Sequence, residues 1–145
     1  GKASIKTDFL VIGRSMEQSK QWAQALEVYL SAKHGKVDPS IDVEELWDRA
    51  VEIARKYVTN RYVEVGKEVS RRLVDIKKEE AAADLLFEIG RQDDAINLCI
   101  QARKFEKAKS LAKGNSLLKK KVDDAYQGFL ITREDTKELV EMGHS

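Results

Sequence analysis

Apolar residues recur along this chain at the three- and four-residue intervals of an α-helix. Ile5, Phe9, Ile12 and Met16 follow this spacing and predict a first helix over residues 4–18. No segment alternates convincingly between apolar and polar residues with the period of two that marks a half-buried strand. The pattern therefore predicts an all-α protein.

The same spacing divides the rest of the chain into further helices. We predict them over residues 21–33, 43–58, 61–77, 79–90, 92–103, 104–113 and 117–131, with a short final helix that begins at Thr132 and Asp135. Asp42 and Ser116 are predicted to cap the helices that follow them. Gly90 follows a predicted helix end, where a left-handed residue is favoured. The pattern thus indicates eight or nine helices joined mostly by tight turns.

A short phrase recurs where one predicted helix ends and the next begins. It occurs at Arg91–Ala95 and again thirteen residues later at Lys104–Ala108. Each copy consists of a basic residue, a residue with a longer side chain, two mostly charged residues and an alanine. Gln21–Ala25 and Arg61–Val65 are looser versions. A small residue lets two helices touch, and the longer residue can cover the turn. The predicted corner-packing residues are Trp22, Ala25, Tyr62, Val65, Ala95, Phe105 and Ala108.

The spacing of this phrase indicates stacked helical hairpins. The final small residues of its first three copies lie 40 and 30 residues apart, which brackets the ~34-residue period of tetratricopeptide hairpins. No unit keeps the whole tetratricopeptide consensus. We therefore predict an α-α superhelix, a degenerate tetratricopeptide-like solenoid that forms a single domain over residues 1–145.

Four stretches carry a resemblance to a known family: residues 18–33, 46–58, 71–113 and 122–130. In this order and spacing they are similar to the helical-repeat region of the family of the largest peripheral subunit of intraflagellar transport complex B. The resemblance implies a segment excised from a longer protein, which acts as a scaffold in cilia and at the ciliary base. It implies other intraflagellar transport subunits as partners and a role in cilium assembly. It implies no enzymatic activity and no cofactor.

Composition and motifs point away from catalysis. A lone cysteine, Cys99, excludes a disulfide within the chain and fits a reducing compartment, and its apolar neighbours indicate a buried structural thiol. Cys99, His34 and His144 lie too far apart for zinc-ligand spacing. No glycine-rich phosphate loop is present, no apolar run reaches the ~20 residues of a membrane span, and the start lacks a signal peptide. We predict no catalytic, cofactor-binding or metal-binding residue.

Charge is distributed unevenly although the chain of 145 residues has a net charge of only +1. Residues 101–122 carry a net charge of +7 and residues 123–145 a net charge of −4. The basic stretch is either an ordinary solvated surface or a binding surface for an acidic partner protein. The predicted partner-binding residues are Arg103, Lys104, Lys107, Lys109, Lys113, Lys119, Lys120 and Lys121.

Two other functions compete with the ciliary one. One is a helical-repeat module of a vesicle coat or tethering complex. The other is a nucleic-acid-binding helical repeat that uses residues 101–122, which is less favoured because Phe105 is the only aromatic residue interleaved with the basic ones. We also expect weak self-association through terminal helices that expose apolar residues, namely Leu10, Val11, Leu139, Val140 and Met142.

Overall fold

The computed structural model describes residues 8–143, apart from the side chains of Thr136 and of residues 138–143. This part of the chain forms eight α-helices and one short 3-10 turn, with no strand, which confirms the predicted all-α class. The helices are α1 (Phe9–Gln18), α2 (Trp22–Ser31), α3 (Val43–Tyr57), α4 (Tyr62–Asp75), α5 (Glu79–Glu88), α6 (Gln92–Gln101), α7 (Phe105–Leu111) and α8 (Ser116–Gly143), with the 3-10 turn at Thr59–Arg61. They fall into two compact units, Gly1–Lys78 and Glu79–Ser145.

The first unit contains α1–α4, and each of its helices packs on the next. Trp47 of α3 lies in its core, and its indole N–H donates a 2.7 Å hydrogen bond to the carbonyl oxygen of Ala32. Arg72 links α4 to α2 by donating to the carbonyl oxygen of Leu30 at 2.8 Å, while its guanidinium lies 5.4 Å from the centre of the Trp47 ring. Glu68 balances the charge of Arg72 at 2.8 Å, so this largely buried arginine is both paired and hydrogen-bonded.

The second unit contains α5–α8. Here α5 packs on α6, α6 packs on α7, and α8 packs against both α6 and α7. Its core combines small and medium-sized side chains: Ala83, Ala95, Ile96, Cys99, Ala108, Leu111, Ala112, Leu118 and Val122. Because the helix spacing depends on the side chains at the contact, the four alanines in this set let the short helices approach closely.

Of the two predicted helix caps, one is confirmed and one is wrong. The Asp42 carboxylate accepts a 3.2 Å hydrogen bond from the backbone N–H of Glu45, which confirms Asp42 as the cap of α3. Ser116 was expected to cap α8 and does not. The side chain of Asn115 accepts the N–H of Leu118 at 3.0 Å instead, and Ser116 is the first helical residue.

The predicted break at Thr132 and Asp135 is also wrong, because α8 continues through both residues to Gly143. The hydroxyl of Thr132 donates to the carbonyl oxygen of Gly128, four residues earlier, at 3.0 Å. A threonine that bonds back in this way can remain inside a helix. The chain therefore has eight helices in its described part, within the predicted eight or nine.

Some predictions fall on residues outside the described part. Residues 4–7 of the first predicted helix, including Ile5, belong to this group, and α1 begins at Phe9 with Asp8 as its cap. His144 and the side chains of Leu139, Val140 and Met142 also lie outside it. None of the described helices is long and apolar enough to cross a membrane.

Candidate partner-binding surface

The same hydrogen-bonded turn follows four of the helices. Lys20, Lys77, Gly90 and Arg103 follow α1, α4, α5 and α6 and have left-handed φ angles of 60°, 66°, 87° and 60°. The next residue donates its N–H to a carbonyl oxygen five residues earlier. These pairs are Gln21 to Met16 at 2.8 Å, Lys78 to Leu73 at 2.8 Å, Arg91 to Leu86 at 2.7 Å and Lys104 to Cys99 at 2.7 Å. This is the Schellman arrangement, which satisfies the last carbonyl groups of a helix.

The small residues of the recurring phrase are buried. Ala25, Ala95 and Ala108 have no exposed surface, and Val65 is 1% exposed. Each lies in the first turns of a helix that packs on a neighbouring helix of its own unit. Side chains larger than these would have to displace the neighbouring helix.

Sequence reasoning missed one copy of the phrase. Lys78–Ala82 repeats its pattern of a basic residue, a longer side chain and a terminal alanine, and Ala82 is fully buried. Ala82, Ala95 and Ala108 follow one another at a constant interval of thirteen residues. That interval was the signal that would have revealed the missing copy.

The longer residues at these corners make different contacts. Trp22 stacks on Tyr57 with ring centres 3.7 Å apart and planes 4° from parallel. Phe105 contacts Tyr126 and Phe129 in α8, with ring centres 5.1 and 5.3 Å away. Gln92 is not aromatic, but its side-chain amide donates to the carbonyl oxygen of Leu111 at 2.8 Å and so joins α6 to the end of α7.

The corner before Tyr62 differs from the others. Val58 donates its N–H to the carbonyl oxygen of Ile53 at 3.2 Å, and a 3-10 turn over Thr59–Arg61 then leads into α4. Tyr62 is half-buried there. The similarity of Arg61–Val65 to the other phrases therefore does not extend to the backbone of the turn.

Four of the eight predicted partner-binding residues have contacts inside the second unit. Lys104 and Lys107 pair with Glu80 and Asp84 of α5 at 3.7 and 2.6 Å, and the hydrogen bond to Asp84 raises the pKa of Lys107. Lys120 pairs with Asp124 at 3.0 Å. The guanidinium of Arg103 lies 5.0 Å from the centre of the Phe129 ring. Lys104 and Lys107 thus connect the start of α7 to α5 by ion pairs.

The other four residues are Lys109, Lys113, Lys119 and Lys121, and all are exposed. Lys109 lies in the last turn of α7, and Lys113 lies two residues after the end of that helix. Lys119 and Lys121 are close in the sequence of α8, but a helix turns about 100° per residue, which places them roughly 160° apart around its axis. The structure therefore does not gather the basic run onto one face, and its role in partner binding stays a prediction.

The described residues include one thiol and several large, exposed apolar side chains. They contain no cluster of three or more His, Cys, Asp or Glu residues that could hold a metal ion. Burial raises the pKa of the Cys99 thiol to about 11, so little of the reactive thiolate exists at neutral pH. In contrast, large apolar side chains stand out from the surface, with Leu117 81% exposed and Ile131 61% exposed.

These features define the class: an α-helical repeat protein in which consecutive helices pack at repeated corners. No family model matches the chain. It is 29% identical over 130 residues to intraflagellar transport protein 172 of Chlamydomonas reinhardtii. It is 30% identical over 129 residues to the homologue from Mus musculus and 29% identical over 134 residues to the one from Homo sapiens.

These alignments cover 88–91% of this chain but only 7–8% of the relatives, so the chain spans less than a tenth of their length. The agreement between species over nearly the whole chain confirms the resemblance seen in the sequence. The chain is related to a segment of intraflagellar transport protein 172.

Proposed function

We propose that this chain is a non-enzymatic interaction segment of an intraflagellar transport subunit. The observation that carries the proposal is the similarity over about nine-tenths of the chain to relatives named for intraflagellar transport. The packed helices of each unit support it, because helical repeats present extended surfaces for partner binding. A vesicle coat or tethering complex is less favoured, since the matching relatives carry the intraflagellar transport name.

In this proposal the segment acts as a scaffold. The helices hold exposed side chains in fixed positions, and neighbouring intraflagellar transport subunits bind to them. The segment would then work in the cilium or flagellum and at its base, and would support cilium assembly by keeping transport trains together. Residues 1–145 would be one segment of a longer protein, and this segment would supply a binding surface and no chemistry.

The partner chemistry that we propose is an acidic protein surface facing the exposed lysines of the second unit. Lys109, Lys113, Lys119 and Lys121 are exposed and form no ion pair with the residues that the structure describes. Complementary charge mainly raises the association rate and selects the partner. Binding should therefore weaken as the salt concentration rises.

Affinity capture from ciliated cells tests the proposal. The tagged chain should retain intraflagellar transport subunits, and a variant with Lys119→Glu, Lys120→Glu and Lys121→Glu should retain several-fold less and show a weaker salt dependence. The control has the same change in charge in the first unit: Lys33→Glu, Lys36→Glu and Lys67→Glu, three exposed positions. Capture of no intraflagellar transport subunit by the wild-type chain would refute the function. Equal capture by wild-type and reversed chains, with the same salt dependence, would refute the role of Lys119 and Lys121.

A further inference from the structure

The last helix is much longer than the other helices of its unit. α8 has 28 residues, against 10, 10 and 7 in α5, α6 and α7. At 1.5 Å per residue it is about 42 Å long, roughly three times the length of α5. Its buried side chains, among those that the structure describes, are Leu118 and Val122 near its start. Most of the helix surface is therefore left uncovered by α6 and α7.

A second face of α8 has the pattern of a helix contact. Leu117, Lys121, Asp124, Gly128 and Ile131 follow one another at alternating intervals of four and three residues, and Asp135 continues the series. This spacing puts all six on one stripe of the helix, which we call the outer stripe. All six are exposed, and Leu117 and Ile131 are the two most exposed large apolar residues in the described part of the chain.

Two of the three charges of the outer stripe, Lys121 and Asp135, are arranged symmetrically around its glycine. The third, Asp124, pairs with Lys120 of the same helix at 3.0 Å. Lys121 lies seven residues before Gly128, and Asp135 lies seven residues after it. Two copies of the stripe in antiparallel orientation, crossing at Gly128, would place Lys121 of each copy opposite Asp135 of the other. Two parallel copies would place like charges together, which is unfavourable. The charge pattern therefore complements itself in the antiparallel orientation only.

Gly128 suits the centre of such a crossing. A Cβ atom added to it would meet nothing within 4 Å, so the groove beside it is open in the single chain. The absence of a side chain there allows a second helix to approach closely. Ile131 lies three residues, about 4.5 Å, after this point and can cover part of its exposed apolar surface in the groove beside Gly128 of the other copy.

We propose that the outer stripe of α8 binds the outer stripe of a second copy of this chain, antiparallel and centred at Gly128. The inference stands on the geometry of α8 and does not depend on the proposed ciliary function. One helix pair buries less surface than a stable dimer interface usually does, so the association is weak and is seen at high protein concentration. It weakens as salt screens the two Lys121–Asp135 pairs.

Sedimentation velocity of the 145-residue chain over a wide concentration range tests the proposal. Lys121→Glu and Asp135→Lys should each raise the dissociation constant of the dimer about tenfold, because like charges then face each other twice. The double variant, with both changes, should return to within about threefold of the wild type. Fourteen residues separate these two positions, about 21 Å along one helix, so a rescue must come from the other copy.

Lys119→Glu is the matched control, since Lys119 lies about 160° around the helix from Lys121. It changes the same charge in the same turn and should leave the dissociation constant unchanged. Circular dichroism checks that every variant keeps its helices. A wild-type chain that stays monomeric at all concentrations would overturn the proposal and leave the stripe for a different occupant. An increase of the dissociation constant by Lys119→Glu as large as that by Lys121→Glu would overturn it too. So would a double variant that dimerises no more tightly than the single variants.

Discussion

Gly13 of α1 lies directly against the ring of Tyr29 in α2, so that a methyl group on Gly13 would overlap the ring. Tyr29 is fully buried, and its hydroxyl donates a hydrogen bond to Glu17, which also lies in α1. The edge of the ring and its hydroxyl are therefore both in contact with α1. This contact sets how closely the first two helices of the chain approach each other.

Gly13→Ala should destabilise the protein by about 1–3 kcal/mol, because the new methyl group forces the two helices apart and this outweighs the better helix propensity of alanine. Chemical unfolding followed by circular dichroism measures the change. Gly128→Ala is the control, since a Cβ atom there has open space around it and the site is also helical. At low protein concentration it should stabilise the chain by about 0.5–1 kcal/mol. A neutral Gly13→Ala would contradict the contact.

Ala95→Leu and Ala108→Leu should each cost about 1–3 kcal/mol of stability, since both alanines are fully buried where helices pack together. Ala23→Leu, at an exposed position of α2, should change the stability by less than about 0.5 kcal/mol. Thermal melting of the three variants distinguishes these outcomes. Unchanged melting of both corner variants would show that these alanines are not close-packing positions.

Lys77→Gly should stabilise the first unit by about 1 kcal/mol, because the left-handed backbone that costs lysine energy suits glycine. Gly90→Ala should destabilise the second unit by a similar amount at the matching corner. Nothing lies within 4 Å of a Cβ atom on Gly90, so its cost would come from the backbone conformation alone. Urea unfolding measures both changes, and two variants that shift stability in the same direction would contradict the shared corner geometry.

The stability of the protein should fall in alkaline solution partly because of Cys99. Burial raises the pKa of its thiol from 9.0 to about 11. The folded chain thus holds this proton more tightly than the unfolded chain does. The contribution of the protonated thiol to the free energy of unfolding is complete below pH 9 and is lost as the pH rises from about 9 to about 11.

A Cys99→Ala variant isolates this contribution. Unfolding free energies of both proteins are measured at intervals from pH 8 to pH 11, each relative to its own value at pH 8. The wild type should lose more stability than the variant over this range. Tyr29, whose pKa burial raises to about 12, acts in the same direction in both proteins at higher pH. Two parallel curves would mean that the thiol does not contribute.

The helical nature of the chain and several helix limits follow from local sequence. Periodic apolar residues need only a nearby surface to bury them, and so the all-α class could be predicted without knowing which helices meet. Asp42 caps α3 through a residue three positions away, and Gly90 ends α5 because glycine tolerates the left-handed conformation. In each case the interaction that decides the structure lies within one helical turn.

The left-handed Lys20, Lys77 and Arg103 could not be predicted in this way, because lysine and arginine disfavour that conformation locally. At Lys20 and Arg103, packing of the next helix of the same unit outweighs the local preference. The continuous α8 is a similar case: Thr132 and Asp135 resemble a helix start, but the helix runs through them. Local preferences of about 1 kcal/mol are small beside the burial of a helix face, which only the tertiary structure shows.

For the basic residues of the candidate surface, too, the sequence determined one part and the tertiary structure the other. The sequence alone determined that basic residues concentrate over residues 101–122. Only the tertiary structure decided that Lys104 and Lys107 face Glu80 and Asp84, more than twenty residues earlier, while Lys109 and Lys113 remain exposed. The order of charges along a chain is fixed by its sequence. The partner of each charge depends on which helices lie side by side, and this arrangement is set by contacts between residues distant in sequence.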